Sequence, residues 1–207
     1  MYHVIASGST GNAVLYFDCV LVDVGVPYKD IAPFVKQIQL VLLTHAHVDH
    51  LNLSTLKRIV SERPSLRVGY CEWLADQLGF VRNLDVYDIG GLYDYGQFSI
   101  CPVQLYHDVP NCGYRIFKGD TRIIHRTDTA HLEGITAKNY DLYAIEHNYD
   151  EETVVKVIAD KTARGEFAYQ KGAINTHLSE QAAHQFIFEN AGPHSKVLRL
   201  HESKIIK

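Results

Sequence analysis

The hexapeptide His45-Ala46-His47-Val48-Asp49-His50 constrains this 207-residue chain more than any other segment. It gathers three imidazoles and a carboxylate within six residues, directly after the apolar run Leu40-Val41-Leu42-Leu43-Thr44. A continuous run of that length is expected for a strand buried on both faces. Imidazole and carboxylate are donors that zinc, iron and manganese accept. His45 and His47 are two residues apart, so an extended backbone points both rings to one side. Asp49 and His50 follow as the chain turns toward the next helix, within reach of a second ion. Donors delivered at the carboxyl end of a buried strand are a common arrangement in α/β folds. The alternative, a histidine-rich surface turn, is disfavoured by the buried strand that precedes it.

The surrounding pattern supplies such a fold. Strands are expected over 2–7, 13–18 and 20–25, the last two joined so directly that a hairpin is implied. Asp30 is expected to cap a helix through IAPFVKQI, with Pro33 in its first turn. LSTLKRIVSE (53–62) has helical spacing, with Leu53, Leu56, Ile59 and Val60 on one face. SLRVGY (65–70) reads as a strand and CEWLADQLGF (71–80) as a helix. Short strands follow near LDVYDIG, FSICPVQLYH, GYRIFKG and TRIIHRT. The last third offers a strand over 141–147, helices over 150–165 and 178–191, and a closing strand over 196–201. No repeat, low-complexity stretch or linker interrupts residues 1–207, which read as a single domain. Strands first, interleaved helices and a similar order in the second half imply an α/β layered sandwich of two sheets.

Composition narrows the function classes. The net charge is −4 with histidines neutral, and the lysines and arginines are scattered, so no broad polyanion groove is advertised. A nucleic-acid substrate still fits, because two bound dications add about four positive charges where a phosphate would sit. No apolar run reaches the roughly 20 residues a membrane span needs. The opening MYHVIASGSTGN lacks a signal-peptide pattern. Cys19, Cys71, Cys101 and Cys112 form no CxxC pair and read as reduced, buried thiols, which implies a cytoplasmic protein.

Four donors do not complete two metal sites. His107 ends the strand VQLYH, Asp128 follows TRIIHRT, and His177 precedes a helix, so all three sit at element junctions. Spacing alone does not choose them over His125, His131 or His147.

HAHVDH resembles the HxHxDH signature of the metallo-β-lactamase superfamily, and further motifs match in order. Asp23 in LVDVG resembles the aspartate ending an early strand. His107, Asp128 and His177 resemble the later histidine, acid and histidine. The likeness is strongest to small YycJ/WalJ-type proteins. SGSTGN resembles their SGSSGN, and His107-Asp108 with Gly113-Tyr114 their HD…GY. RTDT resembles their TDTG, IEHNYD their ESNHD, and THLS their GHLS. The resemblance implies a four-layer αβ/βα sandwich of two mixed β-sheets with flanking helices. It also implies one metal on His45, His47 and His107, another on Asp49, His50 and His177, and Asp128 bridging both. Asp23 would then fix a ligating imidazole through its free ring N–H. Ser9 and Asn12, in the Gly-rich turn, would line the substrate site. Tyr149 stands where these proteins have a histidine, and Ala130 where they have a glycine. No long insertion of the β-CASP type lies between Asp128 and His177.

Two dications supply hydroxide near neutral pH and stabilise charge developing on a phosphoryl oxygen. The expectation is therefore a hydrolase using two divalent ions, zinc by default and manganese or iron with the same donors. Asp49 would also orient the attacking water, and His147 or Asp108 would supply the leaving-group proton. A DNA-nuclease-like phosphodiesterase acting on nucleic acid leads. A phosphodiesterase for a small cyclic or dinucleotide substrate, a thioester or lactone hydrolase, and a non-catalytic metal-stabilised binding protein remain the competing readings.

Overall fold

The computed structural model describes residues 1–202. They fall into two compact units, Met1–Gly91 and a second beginning at Leu92.

The first unit is built on a six-stranded mixed sheet. Its strands β1 (Tyr2–Ala6), β2 (Ala13–Tyr16), β3 (Val20–Val22), β4 (Leu40–Leu42), β5 (Arg67–Cys71) and β6 (Leu84–Tyr87) lie in sequence order. β1 to β3 pair antiparallel, and β3 to β6 pair parallel. The β2–β3 hairpin turns through Phe17 and Asp18, both left-handed at φ 52° and 60°. Such backbone is uncommon outside glycine, and here Cys19 N–H to Tyr16 O, 3.1 Å, closes the turn. Leu40 to Leu43 are wholly buried, as their apolar run requires.

α2 (Leu53–Glu62) occupies the expected span. Asn52 caps it by accepting the Thr55 N–H at 3.1 Å, and Leu56 and Ile59 enter the core one turn apart. Each such aliphatic side chain contributes about 1.5–3 kcal/mol on burial. Two expectations are corrected. α1 is the single turn Tyr28–Ile31, not a helix through 38; Pro33 has no N–H to continue the helical ladder. Glu72–Gln77 forms a 3₁₀ helix rather than an α-helix over 71–80, because β5 runs on through Cys71.

The second unit has its own mixed sheet, in the order β12-β11-β10-β9-β8-β7. These are β7 (Tyr93–Asp94), β8 (Ser99–Leu105), β9 (Asn111–Lys118), β10 (Thr121–Arg126), β11 (Leu142–Glu146) and β12 (Lys196–Leu200). β7 to β10 pair antiparallel, and β10, β11 and β12 are mutually parallel. α3 (Glu151–Ala163) starts at Asp150, which accepts the Thr153 N–H, and α5 (Glu180–Asn190) starts at Ser179, which accepts that of Ala182. Between them lies α4 (Gln170–Thr176), which no hydrophobic period announced. It gains its place by packing Ile174 with Val154, Ile158 and Tyr149. Among the described residues no helix is long and apolar enough to cross a membrane, and all four cysteines are buried free thiols.

Gly25 shows how tightly the first unit is closed around the hexapeptide. A Cβ there would lie 1.7 Å from the Asp49 carbonyl oxygen. The backbones cross at that point, with Val24 N–H on His50 O at 2.9 Å and Asn12 N–H on Asp49 O at 2.7 Å. Gly25→Ala should therefore destabilise the protein by at least about 2 kcal/mol in denaturant titration. A shift within a few tenths would show that the 49–50 segment is not fixed by this crossing.

Candidate metal centre

In the first unit the parallel ends of β3 and β4 set the geometry. Asp23 follows β3 in left-handed backbone, φ 61°, which a short polar side chain tolerates. Its N–H bonds Leu42 O at 2.8 Å. The buried carboxylate accepts the Thr44 N–H at 3.0 Å and hydroxyl at 2.9 Å, and meets His50 Nδ1 at 2.6 Å. Burial raises the Asp23 pKa, and the His50 and Thr44 contacts work against that rise. With Nδ1–H directed at Asp23, His50 keeps its Nε2 as a lone-pair donor, 2.8 Å from Asn12 Nδ2. His45 is buried beside it, with ring centroids 4.2 Å from His50 and 4.8 Å from His47. The Asp49 carboxylate lies 3.8 Å from His50 Nε2.

Asn12 spends its amide on this frame. Its Oδ1 accepts the Gly8 N–H, and its Nδ2 donates to Gly8 O and Asp49 O. Ser9 is exposed on the same turn.

In the second unit the parallel strands β10, β11 and β12 deliver Asp128, Glu146 and His201 at their carboxyl ends. Donor atoms of Asp128, Glu146, His177 and His201 all lie within 4.8 Å of one another. Asp128 is again left-handed, φ 58°, and Asn111 Nδ2 holds its carbonyl at 2.7 Å. Glu146 is wholly buried. One of its oxygens takes the Thr129 and Leu178 N–H groups at 3.1 and 3.2 Å, and the other meets His177 Nδ1 at 2.6 Å. Burial opposes charge on His177, but the hydrogen bond and charge of Glu146, then Asp128, outweigh it and raise the pKa. Burial likewise disfavours the Glu146 carboxylate, yet His177 and His201 leave its pKa lowered. His201 stacks on His177 with centroids 5.2 Å apart, its Nε2 3.4 Å from Asp128 Oδ1. His107 directs Nδ1 at Thr176 O, 2.8 Å, leaving Nε2 3.1 Å from the exposed Asp108.

His147 does not join this group. It lies beyond Glu146, with Nδ1 on Ile145 O at 3.0 Å and its ring edge-on to His184 of α5 at 5.3 Å. Burial lowers its pKa. Strand alternation explains this: Tyr143 and Ile145 pack with α5, and His147 follows them rather than Glu146. Two members of the constellation escaped the sequence reading, Glu146 and His201. Both sit at strand ends, the position that singled out His107 and Asp128, so the signal was present.

The donor chemistry of each unit fits divalent cations. Buried imidazoles and carboxylates converge with carboxylate or carbonyl partners fixing their tautomers, the usual support of metal-ligating histidines.

A family model described as a beta-lactamase superfamily domain matches residues 13–198. The chain belongs to the β-lactamase superfamily. The metallo-beta-lactamase fold protein YhfI from Bacillus subtilis superposes with a TM-score of 0.76 at 17% identity, over 98% of this chain and 85% of that one. The short form of human tRNase Z gives 0.72 at 15% identity, over 99% and 93%. A diphosphatase from the PhnP family gives 0.65 at 13% identity, over 98% and 86%. These likenesses show the metallo-β-lactamase fold. No curated protein matches the chain.

NMR titration of the metal-free protein should place the His177 pKa above the ordinary imidazole value of about 6.5. Glu146→Gln should lower it, because only the weaker attraction of Asp128 then opposes burial. Linkage gives the stability sign: the His177 contribution is complete below about pH 6.5 and is lost as pH rises through the raised folded value. An unchanged His177 titration in the variant would contradict the pairing.

Proposed function

We propose that the chain is a dinuclear metal-dependent phosphodiesterase acting on nucleic acid, of the DNA-nuclease kind that its YycJ-type motifs resemble. The observation carrying this reading is the Glu146–His177 pair, 2.6 Å apart, beside the Asp128 carboxylate and His201. Buried carboxylates and imidazoles are there for charge and proton chemistry, whereas a thiol or hydroxyl nucleophile is absent from this group. The tRNase Z and the PhnP-family diphosphatase among the similar structures support phosphoester chemistry.

His45, His47 and His107 would hold one ion and Asp49 and His50 the other, with Asp128 serving both. His201 takes the last ligand place in preference to His177. The His177 side chain is 19% exposed against 6% for His201, which leaves it the more accessible of the two to a departing oxygen. Divalent ions held there would supply a nucleophile from water near neutral pH and would polarise a phosphoryl oxygen. His177, whose pKa Glu146 raises against burial, would deliver the proton to the departing oxygen. Asp108, exposed beside His107, and Asp49 orient the groups around the phosphate, Ser9 contacts it from the Gly-rich turn, and Asp23 and Asn12 hold His50.

Labelled single- and double-stranded DNA incubated with the protein in Mn²⁺ or Zn²⁺ should be degraded, and Asp128→Ala should abolish this together with metal retention. His177→Gln should keep near-full metal content while losing roughly 10²–10⁴-fold in rate, and His201→Gln should lose metal. Cleavage of bis-p-nitrophenyl phosphate with polymers left intact would redirect the reading to a small cyclic or dinucleotide substrate, which the scattered basic residues also suit. Metal loss in His177→Gln but not in His201→Gln would reverse the two roles.

A further inference from the structure

Arg126, the last residue of β10, is fully buried and two residues from Asp128. Gly113 on β9 makes room for it, since a Cβ there would lie 3.0 Å from Arg126 Cγ. The guanidinium rests against Phe186 of α5, 5.1 Å from the ring centroid. Nε and both terminal nitrogens have no hydrogen-bond partner among the described residues. Arg115 on β9 adds a second cation whose charge acts on Arg126, and burial acts in the same direction. Arg115 donates to Thr136 O at 3.0 Å, while its Nε is also unpartnered and buried. Ala137 and Tyr140 share one apolar cluster with Ile124 and Phe186, with Leu132 and Ile135 packed against it.

An arginine keeps its proton inside a protein. An enclosed cation with no counter-charge and no acceptor costs several kcal/mol or more, and a second cation beside it adds to that. The neighbours acting most strongly on its charge are Arg115 and Tyr140, and neither is an acid ionised at neutral pH. We propose that Arg126 and Arg115 bind a small inorganic anion of chloride size beneath the 127–140 segment. The anion supplies the acceptor that the five N–H donors of Arg126 require. Because Arg126 leads directly into the left-handed Asp128, the occupied site steadies the strand end that presents that carboxylate.

Thermal melts of the full chain at constant ionic strength, with chloride exchanged for gluconate, test this without any variant. Chloride should raise Tm saturably, by roughly 5–10 °C at about 100 times its Kd, and phosphate should not substitute. Crystals grown in bromide should show an anomalous peak beside the Arg126 guanidinium. Arg126→Met should abolish both effects. Equal melts in the two salts with no bromide peak would mean that water fills the space and would overturn the proposal. So would a chloride response that survives in Arg126→Met. If that variant does not fold, the wild-type melts and the bromide map decide alone.

Discussion

Two wholly buried carboxylates, Asp23 and Glu146, organise the chemistry of their respective units. A buried carboxylate is tolerable only when its oxygens are taken up by donors. Each meets an imidazole Nδ1 at 2.6 Å; Asp23 also accepts the Thr44 N–H and hydroxyl, and Glu146 the Thr129 and Leu178 N–H groups. The pairing acts on both partners: the imidazole favours the charged carboxylate against burial, and is itself held in one orientation with Nε2 outward. His50 and His177 are thereby positioned before any ligand arrives, which is the condition for electrostatic help in a reaction to cost little reorganisation.

Strand ends explain why these groups meet. In each mixed sheet the parallel strands finish at one edge, and the residues just past them carry the donors. β3 and β4 present Asp23, Thr44 and His45; β10, β11 and β12 present Asp128, Glu146 and His201. The left-handed backbone at Asp23, Asp128 and His201, φ 61°, 58° and 47°, turns each chain sharply as it leaves its strand. Such conformations cost on the order of 1–3 kcal/mol and persist where the surroundings enforce them. Local strain at three donor positions is consistent with side chains aimed for chemistry rather than for packing.

The sequence made the hexapeptide, the strands around it, α2 and the second-unit strand ends legible, because hydrophobic period and strand-terminal polar residues are local signals. It also made the family legible, through the order of its motifs rather than through any one of them. Other features were hidden for physical reasons. His147 drew a site role from its place in IEHNYD, the segment resembling a YycJ-type motif, but one step along a strand reverses the face, and its ring meets His184 instead. His201 follows a short strand of ordinary composition, and the parallel pairing of β11 and β12 brings it to Asp128. α4 lacks an apolar period and exists through its contacts with α3. Arg126 reads as a surface residue by type, and only the glycine opposite it allows burial.

The most direct test of the central claim is anomalous diffraction at the zinc and manganese edges from crystals of the full chain grown with each metal. The account predicts two peaks about 3.5–4 Å apart, bounded by His45, His47, Asp49, His50, His107, Asp128 and His201, with His177 near but not ligating. No peak, or a single peak away from those side chains, would contradict it.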